Sequence, residues 1–98
     1  MIYETKNLYD QIFQFVRANG LCRSKAEFSR CFLGRSRTYW NAICRVGLLP
    51  SPDAGQTLIL ALSNRKDGPG LGDATREALA TMIWQVEADI LERQGGAQ

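Results

Sequence analysis

The sequence predicts an all-α protein, and three observations lead to this fold class. Apolar residues recur every three or four positions in the longer segments, which is the period of a helix with one buried face. Residues that favour helix ends, such as Ser24, Gly47 and Ser51, separate these segments. No segment alternates apolar and polar residues as a strand does. With 98 residues, 45% of them hydrophobic, the chain suits one small domain with a core.

Two helices are predicted in the first third of the chain. The first runs from Thr5 to Ala18 and ends at Asn19-Gly20, where a left-handed stop is favoured. Its apolar stripe consists of Tyr9, Ile12, Phe13 and Val16. The second runs from Lys25 to Phe32, because Ser24 and Glu27 have the spacing of a capping box, in which the glutamate reaches back to the serine amide. Gly34 closes this helix.

A third helix is predicted from Arg37 to Val46, capped by Ser36 after a turn of about three residues and ended by Gly47. Its apolar positions allow two registers. One register buries Trp40, Ile43 and Cys44, and the competing register buries Tyr39, Ile43 and Val46. Periodicity alone does not decide between them.

The remaining chain is predicted to form two helices joined by a connector. Ser51 caps a fourth helix over residues 52–63, with Pro52 at its first position. Residues 64–72 are rich in glycine and form the connector, and Asp73 caps a long helix over residues 73–94. We therefore divide the chain into a domain over residues 1–63, the connector and the C-terminal helix.

The charges are distributed unevenly although the net charge is only +2. Residues 17–45 contain seven arginine or lysine residues and one carboxylate, whereas the segment from Asp73 onward contains five carboxylates and two arginines. A basic block of this kind is either a solvated face or a surface for a polyanion, which gains free energy from counterion release. The basic centre and the acidic C-terminal segment are expected to have different roles.

Several classes of function are excluded or disfavoured. Without histidine the chain has no Ser-His or Cys-His pair, and its carboxylates form no cluster, so we expect no enzyme. Cys22, Cys31 and Cys44 lack the spacing of a zinc site and are expected to be buried. The segment Gly68-Pro69-Gly70-Leu71-Gly72 lacks the strand and lysine of a phosphate loop. We expect no metal, cofactor, membrane span or small-molecule ligand, and a cytoplasmic location.

The stretch from Ser24 to Ile43 resembles the helix-turn-helix of small regulators of the Cro and phage-repressor type, as carried by plasmids, phages and integrative elements. Ser29 matches the small residue at the helix crossing, Gly34 the turn and Ser36 the cap of the recognition helix. Gly47 followed by Pro50-Ser51 matches the approach to the next helix. The family usually has alanine where Ser29 stands, and its glycine comes one residue earlier, so the turn is expected to be one residue longer.

This resemblance implies double-stranded DNA as the partner and favours the register that buries Trp40 and Ile43. The exposed face of the third helix would read bases in the major groove. The residues assigned to base reading are Arg37, Thr38 and Asn41. The residues assigned to phosphate binding are Arg23, Ser24, Lys25, Arg35, Ser36, Tyr39 and Arg45. For Tyr39, a partly buried position on the flank of the helix is an equal alternative.

The apolar stripe of the C-terminal helix has two interpretations. It either packs back on the domain or pairs with its twin in a homodimer, and we favour the dimer, which would read a palindromic operator. The residues assigned to dimerisation are Leu79, Met82, Ile83, Val86 and Ile90. The alternative function is a helical protein-interaction module, antitoxin-like or an inhibitor subunit, that uses Met82, Trp84 and Leu91 as anchors. RNA binding is less favoured because no platform of interleaved aromatic and basic residues is evident.

Overall fold

The helices of the computed structural model, which describes residues 5–95, lie in the segments that the apolar periodicity indicates. They are α1 (Thr5–Ala18), α2 (Lys25–Glu27, continuing directly into a π-helical turn over Phe28–Phe32), α3 (Tyr39–Val46), α4 (Pro52–Lys66) and α5 (Asp73–Gly95). The all-α class with a long C-terminal helix is therefore confirmed for the described residues. None of these helices combines the length and the apolar character that a membrane crossing requires.

All five helices contribute to one core, and α1, α3 and the π-helical turn bring an aromatic cluster together within it. The ring of Phe28 lies 5.2 Å from that of Phe13, 5.4 Å from that of Phe32 and 5.1 Å from that of Trp40. Pairs at such distances stabilise a fold by roughly 0.5–1.5 kcal/mol beyond the burial of their area. The aromatic cluster thus fixes the inner side of α3, and with it the direction in which the outer side of α3 points.

The C-terminal end of α1 and the start of α2 follow local sequence signals. Gly20 adopts a positive φ of 73°, and the Leu21 amide donates to the Val16 carbonyl at 2.8 Å, so the left-handed stop of α1 is confirmed. The Ser24 hydroxyl accepts from the Glu27 amide at 3.1 Å. The Glu27 carboxylate accepts from the amide of Arg23 at 2.7 Å, and not from that of Ser24 as the capping box predicts.

A π-helical turn makes up the second half of the second helix, which sequence periodicity did not indicate. The Leu33 amide donates to the carbonyl of Phe28, five residues earlier, at 3.1 Å. Gly34 then reverses the chain with a φ of 65°, and a Cβ atom at this position would lie 3.0 Å from the Cγ2 atom of Thr57 on α4. Residues 33–38 connect the π-helical turn to α3, so this connection is longer than the predicted three residues.

The third helix begins at Tyr39, two residues after its predicted start. Ser36 contributes its backbone carbonyl, which accepts from the Tyr39 amide at 3.0 Å, and no side chain at the capping position bonds to the helix. Arg37 and Thr38 consequently lie in the connection, just before the first turn of α3. Gly47 ends the helix with a φ of 73°, as predicted.

The last two helices pack against each other over most of their length. The Ser51 hydroxyl caps α4 by accepting from the Ala54 amide at 3.2 Å, which confirms the predicted start. The helix continues to Lys66, so the first three residues of the predicted connector are helical. Gly72, whose carbonyl accepts from the Arg76 amide at 3.1 Å, precedes the first turn of α5, and Asp73 lies inside the helix.

The apolar stripe of α5 packs within the chain. Leu79, Val86 and Ile90 are at most 2% exposed and belong to the common core, and Met82 and Ile83 pack against it. The assignment of Leu79, Val86 and Ile90 to a dimer interface is thereby corrected, because α1 and α4 of the same chain cover them. Met82 and Ile83 are only half-buried, and their assignment to a dimer stays a prediction. The two interpretations of the stripe resolve in favour of packing on the domain.

Candidate nucleic-acid interface

The basic residues of the central segment all lie at the surface. Arg17, Arg23, Lys25, Arg30, Arg35, Arg37 and Arg45 are exposed. Within residues 5–95, only Arg23 of this group forms an ion pair, at 3.8 Å from Glu27, and its side chain is 90% exposed. Exposed pairs of this kind contribute little to stability. The positive charge between α1 and the end of α3 is therefore largely uncompensated within the described chain.

The three residues predicted to read bases are all exposed and close together along the chain. Arg37 and Thr38 lie in the connection, and Asn41 lies in the first turn of α3. Trp40 and Ile43, which are 3% and 8% exposed, turn the opposite side of α3 into the core. The competing register is excluded because Val46 is 68% exposed.

Ser29 connects α2 to α3, and sequence reasoning treated it only as a small residue. Its hydroxyl is 0% exposed, donates to the Lys25 carbonyl at 3.0 Å and accepts from the Trp40 amide at 2.8 Å. The amides of a first helical turn have no partner within their own helix, so Ser29 supplies a cap to α3 from a neighbouring helix. A polar residue between Phe28 and Phe32, on an otherwise apolar side, is the signal that indicates this role.

Two of the predicted phosphate ligands also make contacts within the chain that join α3 to the start of α4. The Tyr39 hydroxyl accepts from the Ser51 amide at 3.0 Å, which ties the start of α3 to the start of α4. The Arg35 guanidinium lies 6.0 Å from the centre of the Tyr39 ring and donates to the Ser51 hydroxyl at 3.3 Å. Tyr39 is half-buried, as the structural alternative for this residue predicts.

The other predicted phosphate ligands are exposed at three places. Arg23, Ser24 and Lys25 lie at the start of α2, Ser36 in the connection and Arg45 in the last turn of α3. The Ser24 hydroxyl is already occupied as the cap of α2. The start of α2 packs against α3, so these residues lie near the proposed recognition helix.

The cysteines differ from the expected burial. Cys22 is buried, but Cys31 and Cys44 are exposed, so the expectation fails for two of three residues. Loss of solvent around the sulphur atoms raises the pKa of the Cys22 and Cys44 thiols above its ordinary value. These two side chains therefore remain protonated thiols at neutral pH and are not activated nucleophiles.

A polar clasp holds α5 against α1 and the segment before α4, and no local pattern of residues indicates it. Tyr9 donates to Asp89 at 2.5 Å, and Arg93 pairs with Asp89 at 2.9 Å. Arg93 also donates to the Pro50 carbonyl at 2.8 Å and to the Tyr9 hydroxyl at 3.3 Å. The exposed acidic residues of α5 lie on a different helix from the basic residues of the central segment.

Comparison with known proteins gives one match. The profile of a family described as a family of unknown function, DUF6626, matches residues 9–94. No curated protein and no solved structure matches the chain significantly. The match runs from within α1 to nearly the end of α5 and therefore includes both the basic segment and the C-terminal helix.

Proposed function

We propose that this chain, which belongs to the family of unknown function DUF6626, is a sequence-specific DNA-binding regulator of transcription. In this proposal α3 enters the major groove of an operator, and the chain acts as a repressor at its own or a neighbouring promoter. An α-helix fits the major groove of B-DNA, where each base pair presents a distinct pattern of donors and acceptors. No catalytic role is part of the proposal.

The observation that carries the proposal is the outer side of α3. Asn41 and Arg45 are exposed on the side of α3 opposite to Trp40 and Ile43, which are fixed in the core, and Arg37 is exposed in the connection just before the helix. A helix that is held rigidly by its inner side can present polar side chains to base edges in a defined geometry. None of these three residues forms an ion pair within the described chain.

Each residue has a specific proposed role. Arg37 donates hydrogen bonds from two of its guanidinium N–H groups to the O6 and N7 atoms of guanine, Asn41 pairs with the N6 and N7 atoms of adenine, and Thr38 contacts a thymine methyl group. A good bidentate contact discriminates against a wrong base by roughly 1–3 kcal/mol. Arg37 and Thr38 precede α3, so they lie at the N-terminal end of this helix. Recognition helices contact bases with the residues at this end.

Phosphate binding is assigned to the residues on either side of this face. The exposed side chains of Arg23, Lys25, Arg35 and Arg45 supply charge, and Ser24, Ser36 and Tyr39 supply hydroxyl groups. Phosphate contacts fix the register on the duplex and provide most of the salt dependence. Tyr39 has a hydroxyl proton left to donate, since its oxygen accepts from the Ser51 amide.

The π-helical turn supports the resemblance to small helix-turn-helix regulators. Relative to their pattern, this chain has one more residue between Ser29 and Gly34. A π-helical turn holds one residue more per hydrogen-bonded ring than an α-helical turn. The additional residue is thus taken up inside the second helix, while Trp40 and Ile43 keep the buried places that the pattern gives them.

A second candidate function is favoured by the outer side of α5. Trp84 and Leu91 are 67% and 69% exposed, and exposed aromatic residues are frequent anchors of protein interfaces. A protein-interaction module built on this side would bind its partner with little dependence on salt, in contrast to DNA binding.

The test is a fluorescence-anisotropy titration of duplexes that tile the region upstream of the gene, with shuffled duplexes for comparison. The wild type should prefer one duplex, and the Arg37→Ala and Asn41→Ala variants should each lose about tenfold in affinity for it and most of the preference. Arg45→Ala should weaken binding to all duplexes alike and reduce the salt slope by about one.

Matched controls separate base reading from general effects. Arg76→Ala removes an exposed arginine of α5, and Gln14→Ala removes an exposed amide of α1, so neither should change the affinity by more than about twofold. Binding that shows no preference for any duplex, or that falls equally in the controls, would reject the proposal and direct attention to a protein partner.

A further inference from the structure

The outer side of α5 carries an apolar strip that the described chain leaves open to solvent. Ala80, Trp84, Ala88 and Leu91 are all exposed, Trp84 by 67% and Leu91 by 69%. Because an α-helix turns by about 100° per residue, these four side chains leave the helix within roughly 80° of one another. Apolar residues exposed singly need no explanation, but a continuous strip of them marks an interaction site. We call these four residues the outer strip.

The outer strip combines one large side chain with small ones. The indole of Trp84 protrudes from the helix, whereas Ala80, one turn earlier, and Ala88, one turn later, leave the surface low on either side of it. Two helices pack closely when the large residues of each enter the low places of the other. A second copy of this chain offers a protruding and a low position in the matching order.

The matching order is antiparallel. A two-fold axis between two α5 helices at the level of Met82 brings Trp84 of each copy over Ala80 of the other. The same axis sets Arg76 at the level of residue 88 of the second copy, one residue from Glu87. Arg76 and Glu87 are both exposed and leave the helix on the same side of the outer strip, about 20° apart around the helix axis.

The charges beside the outer strip are therefore complementary between two copies. In the antiparallel arrangement Arg76 of each copy lies beside Glu87 of the other, and the symmetry produces this pair twice. Neither residue forms an ion pair within the described part of the chain, and the guanidinium of Arg76 donates only to the Gly68 carbonyl, at 3.3 Å. In a parallel arrangement each of these charges would instead face its own copy, which is unfavourable.

We propose that two copies of this chain associate through the outer strips of α5, in an antiparallel and two-fold symmetric pair. Such closed pairs are the commonest oligomers of soluble proteins. Binding of the acidic α5 to the basic segment of another copy would instead leave an unused surface at each end and lead to open chains. No residue assigned to bases or phosphates belongs to the outer strip, so this inference does not rest on the proposed DNA function.

The experiment is sedimentation equilibrium of the full chain at concentrations from about 1 μM to about 1 mM. The α5 helix has 23 residues and is thus about 34 Å long, so the contact is smaller than a standard interface and the pair should be weak and reversible. We expect a monomer–dimer equilibrium without larger species. The wild-type measurement needs no variant to fold.

Two variants locate the contact. Trp84→Ala removes both indoles from the centre of the pair and should weaken association at least tenfold. Leu48→Ala is the matched control, because Leu48 is a leucine of similar exposure, 62%, that lies between α3 and α4. The control should change the dissociation constant by less than about twofold.

Charge reversal tests the antiparallel register. Loss of one exposed ion pair costs little, but Arg76→Glu or Glu87→Arg turns both pairs into repulsions and should weaken association about tenfold. The double variant Arg76→Glu/Glu87→Arg should recover to within about threefold of the wild type. Arg76 and Glu87 are eleven residues apart, about 16 Å along the helix, so they cannot pair within one chain and the recovery would arise between copies.

The outcomes that contradict the proposal are distinct. A chain that stays monomeric up to about 1 mM, or a dimer that Leu48→Ala weakens as much as Trp84→Ala does, would overturn the contact through α5. Weaker association in both single reversals without recovery in the double variant would overturn the antiparallel register. All substituted positions are exposed, and circular dichroism of each variant verifies that the helices are retained.

Discussion

Ser29 is the residue on which the position of α3 depends most directly. Its replacement by alanine removes the acceptor of the Trp40 amide and leaves that amide buried without a partner. Such a change costs roughly 1–3 kcal/mol. We therefore expect Ser29→Ala to lower the free energy of unfolding in urea by about this amount.

The matched control for Ser29 is Ser36, an exposed serine in the connection before α3. Because its side chain does not cap α3, Ser36→Ala should change the free energy of unfolding by less than about 0.5 kcal/mol. Equal losses in the two variants would show that the hydroxyl of Ser29 does not act as the cap of α3.

Tyr9 makes the stability sensitive to alkaline pH. Burial raises the pKa of its hydroxyl far above the ordinary value of about 10, and the hydrogen bond to Asp89 and the charge of Asp89 add to this effect. Below pH 10 both the folded and the unfolded chain keep the proton. Above it the unfolded chain releases the proton first, so this contribution to stability falls with rising pH.

We expect Tyr9→Phe to flatten this alkaline loss. Urea unfolding of the wild type between pH 9 and pH 11 should show stability that falls by up to about 1 kcal/mol per pH unit more steeply than in the variant. The variant should be less stable at pH 8, because Asp89 loses a hydrogen bond. Parallel pH profiles of the two proteins would contradict the assigned role of Tyr9.

Sequence reasoning identified the residues whose role follows from periodicity, and it failed where the role depends on a distant partner. Trp40 and Ile43 lie in the core as the favoured register predicts. Cys44 is exposed although it lies on the predicted apolar stripe, and the half-buried place of Tyr39 depends on its hydrogen bond with the Ser51 amide, which local spacing does not encode. The clasp of Tyr9 with Asp89 joins residues 80 positions apart and leaves no local pattern.

At the scale of helices, Gly55 sets the distance between α4 and α5. A Cβ atom there would lie 2.8 Å from the Cδ1 atom and 3.2 Å from the Cγ1 atom of Ile90, which is itself buried. Alanine normally stabilises a helix relative to glycine by roughly 0.5–1 kcal/mol. Here we expect the opposite sign, because overpacking of a core costs typically about 1–3 kcal/mol.

The prediction is that Gly55→Ala lowers the midpoint of urea unfolding and that Ile90→Val restores part of the loss in the double variant. The valine lacks the Cδ1 atom that the new methyl group meets. The Ile90→Val single variant gives the cost of the lost methyl group alone. A stabilised Gly55→Ala variant would mean that α4 and α5 are farther apart than this structure has them.

The existence of all five helices could be predicted from the sequence, and the bounds of α1 agree fully. The differences arise where tertiary contacts override local signals. Phe28 and Phe32 of the π-helical turn pack in one aromatic cluster. The connection that follows is longer than predicted, and after it the Trp40 amide donates to the Ser29 hydroxyl. The α4 helix extends to Lys66, three residues past its predicted end.

At the scale of the whole molecule, the basic and acidic parts of the sequence lie on different helices of one core. The packing of α5 on α1 and α4 was one of two open interpretations, because an apolar stripe has the same spacing whether it packs in cis or pairs with a twin. A homodimer on DNA stays a prediction, and Leu79, Val86 and Ile90 are not available to it because they are buried within the chain.

The most direct measurement of the proposed DNA interface is an NMR titration of the ¹⁵N-labelled chain with a mixed-sequence duplex of about 16 base pairs at low salt. The backbone amides of residues 23–25, 35–41 and 45 should shift, while those around Trp84 should not, and the shifts should diminish as salt rises from about 50 to 200 mM. Shifts confined to α5, or no shifts at low salt with the fold intact, would contradict the assignment of α3 to DNA.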